Sequence, residues 1–98
     1  MCLYSLTSLN YHGIITNSYA TGKVDGNHRV GGLLGSNGGG IITNSYATGF
    51  VSGNDYVGGL LGFNSGIITN SYATSKVDGK KDYVGGLIGY NSGGKIEN

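Results

Sequence analysis

The sequence predicts an all-β fold, a parallel β-solenoid (β-helix) of coils about 27 residues long, roughly three and a half of them, and three observations point there. The nonapeptide IITNSYATG at 14–22 returns unchanged at 41–49 and as IITNSYATS at 67–75. The hexapeptide VGGLLG at 30–35 returns at 57–62 and as VGGLIG at 84–89. Glycine fills 21 of 98 positions and proline none, which suits close-stacked turns and excludes collagen, where proline and a glycine at every third residue are required. A unit of this length cannot bury an apolar face alone, but stacked on copies of itself it can.

From the N-terminus, residues 1–12 read as a degenerate half-repeat and partial cap. Aligning Gly13 with Gly40 sets Leu3 on Val30, Leu6 on Leu33 and Asn10 on Asn37, while Tyr4, Ser5 and Ser8 replace Gly31, Gly32 and Gly35. Residues 13–98 then hold the repeats, about 14–40, 41–66 and 67–94, followed by the opening of another. The asparagines at 17, 44, 70 and 98 step by 27, 26 and 28, so single-residue insertions fall in polar turns outside the stacked elements.

Alternation along a strand assigns faces. Column 23/50/76 holds Lys, Phe and Lys and should face out, so Val24, Val51 and Val77 should face in, with Gly22, Ala20 and Ser18 on the same inner side. At the other end of the repeat, Lys95 and Glu97 occupy the columns of Ile14 and Thr16, which places Ile15 and Asn17 inward. The two parities collide between 17 and 18, and a corner there resolves them. Asn17, Asn44 and Asn70 are accordingly the expected structural ladder, buried amides each bonding to the next rung. Alternation leaves open which of Leu33 and Leu34 faces the core.

Outward, Tyr19, Tyr46 and Tyr72 should stack in one row and Thr21, Thr48 and Thr74 in another. These six residues are the candidate ligand face, because a tyrosine offers both a ring and a hydroxyl to a sugar or a protein. The competing reading is that identical side chains ladder for stability alone. Ice binding is disfavoured, since Thr16 and Thr21 of one coil lie five residues apart.

Composition narrows the function. Leu, Ile, Val and Phe number 24 of 98, which places the chain above the disordered class, and a net charge of +1 disfavours nucleic acid and anionic membrane as partners. No apolar run is long enough for a membrane-inserted helix. Catalytic, cofactor and metal sites are not expected. His12 and His28 sit in different turns, Cys2 is the lone cysteine, and the glycine runs lack the lysine of a phosphate loop. Asp25-Gly26-Asn27, Asn54-Asp55, and Asp78-Gly79 with Asp82 read as turn chemistry rather than as the calcium-binding nonapeptide of other solenoids.

The unit GGxIxNSYATGxVxG followed by VGGLLGxN resembles the GLUG-motif repeat of large bacterial surface proteins, including adhesins of the filamentous-haemagglutinin kind and non-catalytic regions of immunoglobulin-A-cleaving metallopeptidases. The resemblance covers about residues 13–98 and departs at 1–12 and at Ser75, where glycine is usual. It implies an extracellular or cell-surface structural and adhesive module, a stiff stalk within a longer chain, with no enzyme activity. The alternative is a carbohydrate- or mucin-binding module using the Tyr/Thr face. Host glycans or surface proteins are the partners implied. Self-association through uncapped solenoid ends is expected from the strand edges. Residues 1–12 carry no basic, apolar leader, so secretion would depend on a signal elsewhere.

Overall fold

A computed structural model describes residues 9–97, and it is a β-solenoid built of parallel sheets with no helix. Five short ladders run up its sides. The asparagine ladder joins Leu9–Tyr11, Leu34–Gly38, Leu61–Asn64 and Ile88–Asn91. The isoleucine ladder joins Ile14–Thr16, Ile41–Thr43, Ile67–Thr69 and Lys95–Glu97. Tyr19–Ala20, Tyr46–Ala47 and Tyr72–Ala73 form the tyrosine ladder, and Val24–Asp25, Val51–Gly53 and Val77–Gly79 the valine ladder. The last ladder joins His28–Gly31, Asp55–Gly58 and Val84–Gly85.

Every strand pairing is parallel, and its register matches the repeat: Ile42 lies opposite Ile15 and Ile68, Val57 opposite Val30 and Val84. The one-residue insertions cause no slip, because Ile67 still meets Lys95 and Thr69 meets Glu97. The N-terminal alignment is also seen at Asn10, which pairs with Asn37. Cys2, Leu3, Tyr4, Ser5, Leu6, Ser8 and Asn98 lie outside the described residues.

The core is two apolar clusters. Val24, Val30, Val51 and Val57 fill one; Ala20, Leu33, Leu34, Ile42, Ala47, Leu60, Leu61 and Ile68 fill the other. The alternation argument holds for the isoleucines: Ile42 and Ile68 are fully buried, whereas Ile14, Ile41 and Ile67 are exposed. Both leucines of the VGGLLG block are buried, which alternation forbids in a straight strand. The backbone explains it. The amides of Leu33 and Leu34 both donate to the Leu60 carbonyl (3.0 and 3.1 Å), and those of Leu60 and Leu61 both donate to Leu87 (2.8 and 3.1 Å). Two successive donors converging on one acceptor mark a bulge-like bend that turns consecutive side chains inward.

The corner at 17–18 exists, but its chemistry corrects the expectation. Asn17, Asn44 and Asn70 are exposed, with φ of 52°, 52° and 47°. The left-handed conformation makes the bend and turns the side chain outward, and asparagine is the residue after glycine that adopts it most readily. Serine takes the inner side. Ser18, Ser45 and Ser71 are buried, each hydroxyl donating to the threonine carbonyl two residues back (2.9–3.0 Å). The Ser45 hydroxyl accepts from the Ser18 amide, and that of Ser71 from the Ser45 amide, both at 3.2 Å.

The buried amide ladder lies in another column. Asn10 donates to Asn37, Asn37 to Asn64 and Asn64 to Asn91, each Nδ2 to Oδ1 at 2.9 Å. The remaining Nδ2 hydrogens reach the carbonyls of Gly13, Gly40, Gly66 and Gly94 (3.0–3.3 Å), which closes the next corner of the coil. Among the described residues no buried side-chain nitrogen or oxygen lacks a partner.

Candidate functional site

Two outward aromatic arrays stand on this frame. In the first, rings of Tyr19, Tyr46 and Tyr72 stack at 5.4 and 5.1 Å with interplanar angles of 10° and 5°. Thr21, Thr48 and Thr74 are exposed two residues along the chain. The row is therefore where alternation placed it. Its geometry bears on its use, because rings stacked in register spend their faces on one another and present edges and hydroxyls to solvent. That arrangement supports the ladder itself more than it supports a sugar lying across it. Replacing Tyr46 by serine removes both stacking contacts and is expected to cost about 2 kcal/mol, beyond which no larger rearrangement follows. A fall in the urea midpoint checks this, and an unchanged midpoint would show that the stack contributes nothing.

The second array went unrecognised in the sequence. It is built by columns 29/56/83 and 36/63/90, which hold Arg, Tyr, Tyr and Ser, Phe, Tyr. Tyr56 and Tyr83 form one stack (4.9 Å, 16°), and Phe63 and Tyr90 another (5.8 Å, 28°). Tyr56 meets the second stack nearly edge-on, at 78° to Phe63 and 73° to Tyr90, while Tyr83 lies at 59° to Tyr90. Arg29 continues the first column, and its guanidinium lies 4.5 Å from the Phe63 ring centre and 5.9 Å from that of Tyr56. Tyr56 thus contacts both Tyr83 and the Arg29 guanidinium, and Phe63 both Tyr90 and the same guanidinium, so these rings too are engaged with one another.

The backbone under this corner is unusual. Arg29, Tyr56 and Tyr83 have φ of 53°, 53° and 63°. The left-handed conformation costs a residue with a Cβ roughly 1–2 kcal/mol. The bend lets the neighbouring glycine column pack directly on it: a Cβ on Gly62 would sit 2.6 Å from the Val30 nitrogen. At the 17/44/70 corner the same conformation is given to asparagine.

The polar turns gather on one edge. Asp25, Gly26, Ser52, Gly53, Asn54 and Lys80 line a depression of about 200 Å³, in which Ser52 Oγ donates to Asp25 Oδ1 at 2.9 Å. His28 Nδ1 lies 3.1 Å from Asp55 Oδ2, and the Asp82 amide donates to Asp55 Oδ1 at 3.3 Å. Lys23 sits 5.7 Å over the Phe50 ring. Among the described residues, no three of His, Cys, Asp and Glu lie close enough together to hold a metal ion. His12 is exposed, at φ 59°.

In comparisons with known proteins, residues 26–52 and 53–78 each match the family model described as the GLUG motif, together more than half of the chain. These units begin at Gly26 and Gly53 and cut the same period at a different point from the 14–40 and 41–66 division. Neither the curated proteins nor the solved structures gave a match.

Proposed function

The chain belongs to the GLUG-motif family, and we propose that it serves as a structural and adhesive module of a secreted or cell-surface protein, a stiff spacer that presents a binding face. The observation that carries the reading is the unbroken parallel register of consecutive coils, internally braced by the Asn37–Asn64–Asn91 ladder. Each coil is a template for the next, so length is set by repeat number and stiffness by backbone hydrogen bonds along the axis. On this reading the chain performs no catalysis, and its partners are host glycans or surface proteins.

A carbohydrate- or mucin-binding role is the second reading. The specific observation in its favour is the pair of outward aromatic arrays.

An antibody raised to the repeat and used on surface, secreted and cytosolic fractions of the source cells tests the first reading. The expected result is a surface or secreted band well above the size of the 98-residue chain. A band of the chain's own size confined to the cytosol would overturn it.

A further inference from the structure

We propose that this chain dimerises tail to tail, the C-terminal end of its solenoid docking on the same end of a second copy. The inference goes beyond the cell-surface reading and does not depend on it, because it concerns what covers one end of the stack and not where the protein resides.

The two ends of the described stack differ. In the first coil the inward residues Ala20, Val24, Val30 and Leu33 are buried, none more than 1% exposed. Their counterparts in the last coil are not: Ala73, Val77 and Leu87 are half-buried and Val84 is 42% exposed. Ile96, which continues the fully buried column of Ile42 and Ile68, is 39% exposed. This apolar surface is the one that each earlier coil buries against its successor, so a partner here continues an interface the fold already uses.

The backbone of the same end is self-complementary. The amides of Gly32, Leu33 and Leu34 donate to Gly59 and Leu60, and those of Gly59, Leu60 and Leu61 to Gly86 and Leu87. Gly86, Leu87 and Ile88 hold the same place in the last coil, so their amides point end-on, with no following coil among the described residues. Carbonyls point that way on another side of the coil. Ala20 and Ala47 receive the Thr48 and Thr74 amides, and Gly53 that of Lys80, which leaves Ala73 and Gly79 facing outward. Turning a second copy by half a turn about an axis in the end plane sets donors of each copy towards acceptors of the other, as a two-fold interface requires.

Charge permits the approach. Lys76, Lys80, Lys81 and Lys95 share this end with Asp78, Asp82 and Glu97, all of them exposed, so four positive charges stand with three negative ones. A head-to-tail stack would instead need the inner face of the first coil, which is already covered, and it would not close.

Sedimentation equilibrium of the 98-residue chain tests this, with amide hydrogen exchange to locate the contact. The mass should reach twice that of the chain and stop there as concentration rises, and the Gly86, Leu87 and Ile88 amides should be protected in the dimer. Val84→Lys and Ile96→Lys each put a charge into the apolar contact and should weaken the dimer by about tenfold or more, with the far-ultraviolet circular dichroism retained. Two such variants are used so that one decides if the other fails to fold. Ile14→Lys, at an exposed position of the opposite end, should leave the dimer intact. A monomer at every concentration overturns the proposal, and so does a mass that keeps growing, which would mean an open head-to-tail stack. It is also overturned if both lysine variants fold and dimerise as tightly as the parent, if Ile14→Lys dissociates the dimer as strongly, or if the three amides exchange as fast in the dimer as in a monomeric variant. Failure here leaves the cell-surface module standing, and a cytosolic location would leave the measured mass unaffected.

Discussion

Asn64→Ala is expected to cost about 4 kcal/mol, because four hydrogen bonds converge on one buried amide. Asn64 donates to Asn91 Oδ1 and the Gly66 carbonyl, and accepts from Asn37 Nδ2 and the Gly66 amide. Alanine breaks all four and strands buried donors that water cannot reach, each such loss costing about 1–3 kcal/mol. Against a total stability of about 5–15 kcal/mol for a domain, that is a large share. Asn44 supplies the contrast. It is exposed at φ 52°, so Asn44→Gly keeps the bend and should shift stability by only a few tenths of a kcal/mol. Urea unfolding followed by far-ultraviolet circular dichroism separates the two. Equal losses in the two variants would mean that the Asn44 side chain carries structural hydrogen bonding comparable to the inner ladder.

Those two asparagines also mark how far the sequence could be read. The period, the parallel stacking and the inward sets Val24/Val51 and Ile42/Ile68 follow from repetition and alternation, because a side chain's face in extended backbone is fixed by its parity. Parity fails where φ turns positive. Columns 17/44/70 and 37/64/91 both hold asparagine in every coil, so identity alone does not reveal which amide is buried. A usable signal was present: each residue of the buried column is followed within three positions by a glycine whose carbonyl it bonds, at Gly40, Gly66 and Gly94. The other column is followed at once by a small serine that takes the inner side. The tyrosine row was legible because it repeats as Tyr, Tyr, Tyr. The Arg29 corner was not, because Arg, Tyr, Tyr beside Ser, Phe, Tyr breaks the repeat that made the rest readable. Arg29, Tyr56 and Tyr83 are also aimed by left-handed backbone, to which parity does not apply.

Identical sequence need not mean identical consequence, and Gly59 and Gly86 are expected to show this. Both are the second glycine of a VGG block, in VGGLLG and VGGLIG. A Cβ on Gly59 would lie 2.9 Å from the Ala73 Cβ and press on the Gly86 carbonyl, the acceptor of the Gly59 amide at 3.2 Å. Backbone that is itself part of a rung cannot step aside, so Gly59→Ala should cost about 3 kcal/mol. A Cβ on Gly86 would meet nothing within 4 Å. Gly86→Ala should be neutral or raise stability by about 0.4–1 kcal/mol through the lower entropy of the unfolded chain. Thermal melts of both variants check this. Similar losses in the two would show that the glycine is required by its own backbone and not by the coil stacked upon it. The difference arises from stacking, since what Gly59 touches is the coil that follows. Adding one further coil after residue 98 should therefore convert Gly86→Ala from harmless to costly, and a melt of that extended chain would show the solenoid's nearest-neighbour character directly.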